Sequence, residues 1–259
     1  MSDILLQSRE GHVVTLTINR PEKLNAMTKP LWRGLGEAFT SLSADDSVRC
    51  IVIRGAGEKS FSPGNDISEF ENERSNKIQA RAYGEIMHST VHAIQTCRHP
   101  IVAQIHGICV GGGMEIASLA DIRICGESSR FGAPIKNLGL VMAYSEMGPI
   151  ASLLGPSKAL EILLEGRIFD AQEALRIGLV SRVVPDHLVA QEVQAAAQRV
   201  ASGAPLVARW HKKFARRLGN PTPLTPAEKD ECFDCFDTED FRIGYTAFLA
   251  KAPPKFVGR

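Results

Sequence analysis

The chain has 259 residues, 44% apolar and 23% charged, with 30 Lys and Arg against 29 Asp and Glu for a formal net charge of +1. A chain of this size can bury about 70–75% of its unfolded surface, so it needs no disulfide staple and forms one large domain or two small ones. The charge balance excludes an overall basic nucleic-acid binder, and the apolar share excludes a disordered chain.

Val13–Ile18 alternates β-branched and apolar residues with period two and predicts a strand. Leu31, Leu35, Ala38 and Leu42 then fall at helical spacing, with Thr28 as a possible cap and Pro30 tolerated in the first turn. A short buried strand, Cys50–Ile53, leads into a Gly/Ser/Pro-rich loop over Gly55–Gly64. A polar helix running to about Cys97 follows, then a third strand, Ile101–Ile105. Strands alternating with helices predict an α/β core with parallel crossovers. From Pro156 onward the pattern is helical apart from one brief strand, Ser181–Val184. One helix is bracketed by Asp186 and Gly203, with Val189, Val193, Ala196 and Val200 on one face. The next, between Pro205 and Gly219, is expected to turn Val207, Trp210, Phe214 and Leu218 inward.

The six cysteines, Cys50, Cys97, Cys109, Cys125, Cys232 and Cys235, fall mostly in apolar stretches and read as reduced thiols, not a disulfide framework. The start, Met1 to Leu6, has no basic region followed by a long apolar run, and no apolar stretch reaches the roughly 20 residues that cross a bilayer. The expected setting is cytoplasmic.

Two segments carry chemical character. Phe61-Ser62-Pro63-Gly64-Asn65-Asp66-Ile67 directly follows the loop after a strand. In Ile105–Ile116 a strand ends, the chain turns, and Gly111-Gly112-Gly113 open an apolar helix reaching about Ala120. Glycines at a helix N-terminus let a ligand approach free backbone N–H groups, and the helix dipole favours negative charge there. A developing oxyanion suits such a place. Glu115, in the first turn, stands close enough to act as acid or base beside it. The bland alternatives are close packing for the glycines and dipole complementation for the Glu. The spacing matches neither the dinucleotide fingerprint nor the phosphate loop ending in Lys-Ser/Thr.

These two segments, together with Asn19-Arg20-Pro21-Glu22-Lys23-Leu24-Asn25-Ala26-Met27, Arg130-Phe131-Gly132-Ala133-Pro134 and Phe169–Ala174 leading to Gly178-Leu179-Val180, closely resemble the enoyl-CoA hydratase/isomerase (crotonase) family, in the family's order. The resemblance implies an α/β spiral of β-β-α units over residues 1–200 and a helical region over 201–259 used in trimer contacts. It implies a CoA thioester whose enolate oxygen is held by the backbone N–H groups of Asn65 and Gly112, where the family usually has Ala at the first position. It places the nucleotide part of CoA along Lys23 and Leu24 and the pantetheine channel beside Gly64, Asp66 and Ile67. Phe248 and Lys251 match a C-terminal segment that can reach CoA on a neighbouring subunit. No metal and no cofactor beyond the substrate's own CoA are expected. The expected partners are an acyl-CoA substrate and further copies of the chain, as a homotrimer or a dimer of trimers, with no membrane and no nucleic acid.

Family hydratases carry two glutamates. Glu115 matches the first, but the second position, directly after Pro134, is Ile135, which can neither hold water nor give a proton. The family's Gly-rich turn is replaced by Met142, Tyr144 and Glu146. Tyr144 is expected as an acyl-pocket wall beside Ile135, because an unperturbed phenol titrates at about 10. Glu146 either supplies the missing proton-transfer group or caps the helix that starts there. The readings that follow are water addition to a 2-enoyl-CoA, one-carboxylate isomerase or decarboxylase chemistry, or binding of CoA esters or RNA with weak activity. The basic run Arg209–Arg217 is expected as a solvated or interface face that the acidic Glu228–Asp240 segment pairs with across subunits.

Overall fold

The structure, a computed structural model, describes residues 3–259. Met1 and Ser2, part of the stretch read above for a targeting signal, lie outside the described residues.

Among the described residues, ten strands form two sheets. In the larger, β1 (Leu5–Glu10), β2 (Val13–Ile18), β3 (Cys50–Gly55), β5 (Ile101–Ile105), β7 (Ile122–Gly126) and β10 (Arg182–Val184) lie in that order. Only the β1–β2 hairpin is antiparallel. In the smaller, β4 (Ser60–Ser62), β6 (Ile108–Val110) and β8 (Arg130–Gly132) run parallel, and β9 (Ile168–Asp170) closes the edge antiparallel. Strands β3, β5 and β7 of the first sheet each feed a three-residue strand of the second and then a helix. Thus β3 and β4 precede α2 (Phe70–Glu73) and α3 (Lys77–Thr96); β5 and β6 precede α4 (Gly112–Ser118). Likewise β7 and β8 precede α5 (Tyr144–Leu154) and α6 (Pro156–Glu165). This is a spiral of β-β-α turns. The smaller sheet was not read from the sequence, because three residues carry too little periodicity to register.

The helix α1 (Lys29–Ala44) buries Leu31, Trp32, Leu35, Phe39 and Leu42 against α3, which answers with Tyr83, Met87, Val91 and Ile94. On the other face of the large sheet, α8 (Val189–Ser202) lays Val189, Val193, Ala196 and Ala197 over Val52, Val102 and Ile124. The short α7 (Ala171–Arg176) starts at Asp170, whose carboxylate accepts from Glu173 N at 2.8 Å.

The helix α9 (Pro205–Leu218) lies opposite to expectation. Its basic side faces the body: Lys212 is 8% exposed and its Nζ donates to His99 O and sits 2.7 Å from Asp121. Arg209 reaches Asp46 and Arg216 reaches Asp121, while Leu218 is exposed and Trp210 and Phe214 only half-buried. The apolar floor is already covered by α8, and what remains beneath α9 is a carboxylate and free carbonyls, which call for cations. The acidic segment pairs with this basic run within the chain: Lys213 meets Glu231, and Arg217 meets Glu228 at 2.5 Å. After α10 (Pro226–Asp230), α11 (Glu239–Leu249) leaves Phe248 82% exposed. Among the described residues no helix is long and apolar enough to cross a membrane.

Candidate active site

The first wall of the site is the segment before α1. Leu24 and Asn25 both take left-handed backbone, at φ of 52° and 64°. That turn drives the Asn25 side chain inward, where it accepts from Arg20 N and donates to Ala56 O and Ser60 O. Asn is among the few residues that tolerate this conformation while bonding locally. Met27 then clasps the next loop, donating its N–H to Gly64 O and accepting from Asp66 N, both at 2.8 Å. Arg20 adds an ion pair to Asp66 at 3.0 Å. Bonds from Ser68, with Arg20 beside it, hold the Asp66 carboxyl below the usual range. So Lys23, Leu24, Gly64, Asp66 and Ile67 are brought together, with Lys23, Leu24 and Ile67 exposed along the rim.

The second wall is the glycine turn. Gly64 (φ +95°) and Gly112 touch backbone to backbone: a Cβ on Gly64 would stand 2.8 Å from Gly112 N. A Cβ on Gly113 would drive into the carbonyl of Ser62. The approach leaves the N–H groups of Asn65 and Gly112 on one small patch, and among the described residues neither donates to a protein acceptor. The Asn65 side chain turns into the body of the protein, where Oδ1 accepts from Trp32 Nε1 at 2.7 Å and Nδ2 meets Met87 Sδ at 3.8 Å. Asn65 therefore serves as an anchor for its own loop, a role the sequence did not suggest.

Glu115 lies one turn into α4, 2% exposed, with its Oε1 unpartnered. Burial pushes its carboxyl well above the ordinary range, the negative charge of Glu146 adds to the shift, and Arg74 opposes it. A carboxyl that burial favours as the neutral acid, one turn into the helix that Gly112 opens, can give a proton to an enolate held by free backbone N–H groups.

The polar groups around Glu115 come from other elements, and of these residues only Glu146 was marked in the sequence. Glu146 sits in the first turn of α5, which packs against α4 and α3. Its Oε2 accepts from Ala143 N at 3.2 Å and its Oε1 lies 3.5 Å from His88 Nε2 on α3. Arg74, whose charge Glu115 feels, is sandwiched between the rings of Phe70 and Tyr83 at 4.7 and 4.9 Å. The Tyr83 hydroxyl donates to Glu69 at 2.8 Å. His88 and Arg74 carried no sequence signal, since a lone His on a helix and a lone Arg after one are usually solvated.

The remaining expected residues divide. Ile135, in the turn after Pro134, packs against the apolar core. Tyr144 is 97% exposed, so within one chain its ring walls no pocket; the first turn of α5 directs Glu146 inward and leaves Tyr144 to solvent. Phe248 and Lys251, at the end of α11, are both exposed, and α11 packs on the segment preceding it, so a single chain does not bring them to Glu115.

Residues 8–259 match the family described as enoyl-CoA hydratase/isomerase. Crotonyl-CoA hydratase of Syntrophomonas wolfei is 32% identical over 258 residues, 98% of this chain and 98% of its own. Short-chain-enoyl-CoA hydratase of Clostridium acetobutylicum is 32% identical over 97% of this chain and 96% of its own. Among solved structures, an enoyl-CoA hydratase/carnithine racemase from Magnetospirillum magneticum superposes with a TM-score of 0.98 at 48% identity, covering 100% of this chain and 97% of that one.

Proposed function

The chain belongs to the enoyl-CoA hydratase/isomerase family, and we propose that it adds water across the double bond of a short 2-enoyl-CoA thioester. The observation that carries this reading is the buried, unpartnered Glu115 carboxyl beside the unpaired N–H groups of Asn65 and Gly112. As water attacks the β-carbon, the thioester oxygen gains charge, and the two amides bind it in a dry site; one such donor is typically worth roughly 3–4 kcal/mol. The neutral Glu115 carboxyl then protonates the α-carbon. Lys23, Leu24, Gly64, Asp66 and Ile67 hold the CoA along the exposed rim, and Ile135 borders the acyl group. No metal or added cofactor takes part in this scheme, since CoA arrives with the substrate.

The exposed apolar residues of α9 and α11, with Phe233 and Phe236 between them, support association into a homotrimer or dimer of trimers. Phe248 and Lys251 then serve a neighbouring copy's CoA. A cytoplasmic setting accords with the four buried, unbridged thiols Cys50, Cys97, Cys109 and Cys125.

Ile135 favours a second reading, in which one carboxylate shifts a double bond or protonates the enolate left by decarboxylation. RNA binding loses its main sequence basis, because Arg209, Lys212, Lys213, Arg216 and Arg217 are all paired inside the chain. The deciding assay follows loss of the conjugated enoyl-thioester absorbance of crotonyl-CoA with wild type and Glu115→Gln. Turnover abolished by the substitution supports hydration; intact CoA-ester binding without wild-type turnover redirects the assignment to isomerisation or decarboxylation.

A further inference from the structure

Resting on the hydration reading, we infer that Glu146, with His88 beside it, is the second proton-transfer group of this enzyme and that it replaces the carboxylate lost at Ile135. The two carboxyls come from different elements: Glu115 from the first turn of α4 and Glu146 from the first turn of α5, two helices that pack on each other. Their proximity is felt electrostatically, since the charge of Glu146 opposes ionisation of Glu115. Glu146 Oε2 accepts from Ala143 N at 3.2 Å, and its Oε1 lies 3.5 Å from His88 Nε2. Around them lie buried polar atoms that no protein group satisfies: Glu115 Oε1, His88 Nε2, Ser145 Oγ and Arg74 Nη1. Buried polar atoms left open in a native fold mark a place that a substrate or water completes. An alkyl pocket floor would not be lined this way.

Two neighbouring carboxyls can divide the acid and base roles of one reaction between them. A proton of the attacking water passes to the Glu146 carboxylate as its oxygen bonds to the β-carbon. The electron pair of the double bond moves onto the thioester as an enolate, and the Glu115 carboxyl then gives its proton to the α-carbon. Glu146 leaves protonated and Glu115 ionised, and a proton returns from one to the other through water. The half-exposed His88 ring stands beside the Glu146 carboxylate. The other charged group acting on Glu115 is Arg74.

Glu146→Gln tests this, because the Gln side-chain carbonyl can still accept from Ala143 N and keep the helix start intact. With crotonyl-CoA, kcat is expected to fall about 10²–10⁴-fold with KM within about threefold and Tm unchanged. As a control, exchange of the α-proton of butyryl-CoA in deuterium oxide, in which the ionised form of Glu115 takes the proton and the oxyanion-binding amides hold the enolate, is expected to persist in Glu146→Gln and vanish in Glu115→Gln. Wild-type hydration that survives Glu146→Gln within threefold overturns the role of Glu146 alone. Loss of hydration and exchange together in Glu146→Gln marks a structural residue and overturns it as well. A wild type that binds the ester and exchanges its α-proton, yet never hydrates crotonyl-CoA, fells the hydration reading and this inference with it.

Discussion

The indole of Trp32 donates a 2.7 Å hydrogen bond to Asn65 Oδ1 while the edge of the same ring packs under Gly112, where an added Cβ would stand 3.2 Å away. One buried side chain of α1 thus sets the spacing between the two amides proposed to bind the thioester oxygen. An oxyanion hole works through donors fixed before the charge arrives, and here the fixing runs through a residue in neither loop.

Trp32→Phe keeps most of the packing and removes the bond. It is expected to lower kcat about tenfold with little change in CoA-ester affinity, measured by steady-state kinetics and calorimetry. Asn65→Ala, by contrast, strands a buried indole N–H at a cost of about 1–3 kcal/mol in urea unfolding. The double variant is expected to cost less than the sum of the two, the signature of a shared bond.

Gly64→Ala places a Cβ 2.8 Å from Gly112 N at a backbone angle that side chains avoid. The two loops must part, so turnover is expected to fall by about 10²-fold or more. Circular dichroism reporting an unfolded protein would show instead that the contact serves folding first.

Glu115→Gln is expected to raise Tm even as it removes activity. The folded-state pKa of Glu115 is raised, so between its unfolded and folded values the native state keeps a proton that the unfolded state releases. Stability conferred by that proton is full below the unfolded pKa and is lost as pH climbs toward the folded one. The gain from Gln should therefore vanish near pH 4 and grow toward neutral pH in a melting series. The same sign predicts that catalysis by the protonated acid fades as pH rises through the raised pKa.

Lys212→Met removes a buried cation from Asp121, which keeps Arg216 and the Ile101 amide as partners. A loss of about 2 kcal/mol is expected in urea unfolding, because a partly compensated carboxylate remains. Lys213→Met, one residue along the same helix and exposed, is expected to change stability by less than about 0.5 kcal/mol. Equal effects from both would contradict the inward-facing basic side of α9.

Much of the candidate site was legible in the sequence because its backbone devices demand particular residues. Gly64 and Gly113 stand where no Cβ fits, a Cβ on Gly112 would press on Trp32, and Asn25 stands at a left-handed turn whose side chain bonds inward. Such requirements leave motifs in linear order. Glu115 was legible for the same reason, being in the first turn of the helix those glycines open. Trp32 and His88 left no such trace, since each reads as an ordinary residue on an amphipathic helix until its partner arrives from elsewhere in the chain. The same holds for α9, where the apolar stripe predicted the buried face and the carboxylate of Asp121 overruled it.

By itself, the sequence determined the alternation of strands and helices, the two loops that meet, the buried acid beside them and the loss of a carboxylate at Ile135. These depend on local backbone geometry and on residue identity, both of which are written in chain order. Only the tertiary structure decided that Glu146 and not Tyr144 turns inward, that Asn65 is an anchor, and which side of α9 is buried. Those outcomes depend on what another element presents across the gap, and burial without a partner costs more than any local preference can return.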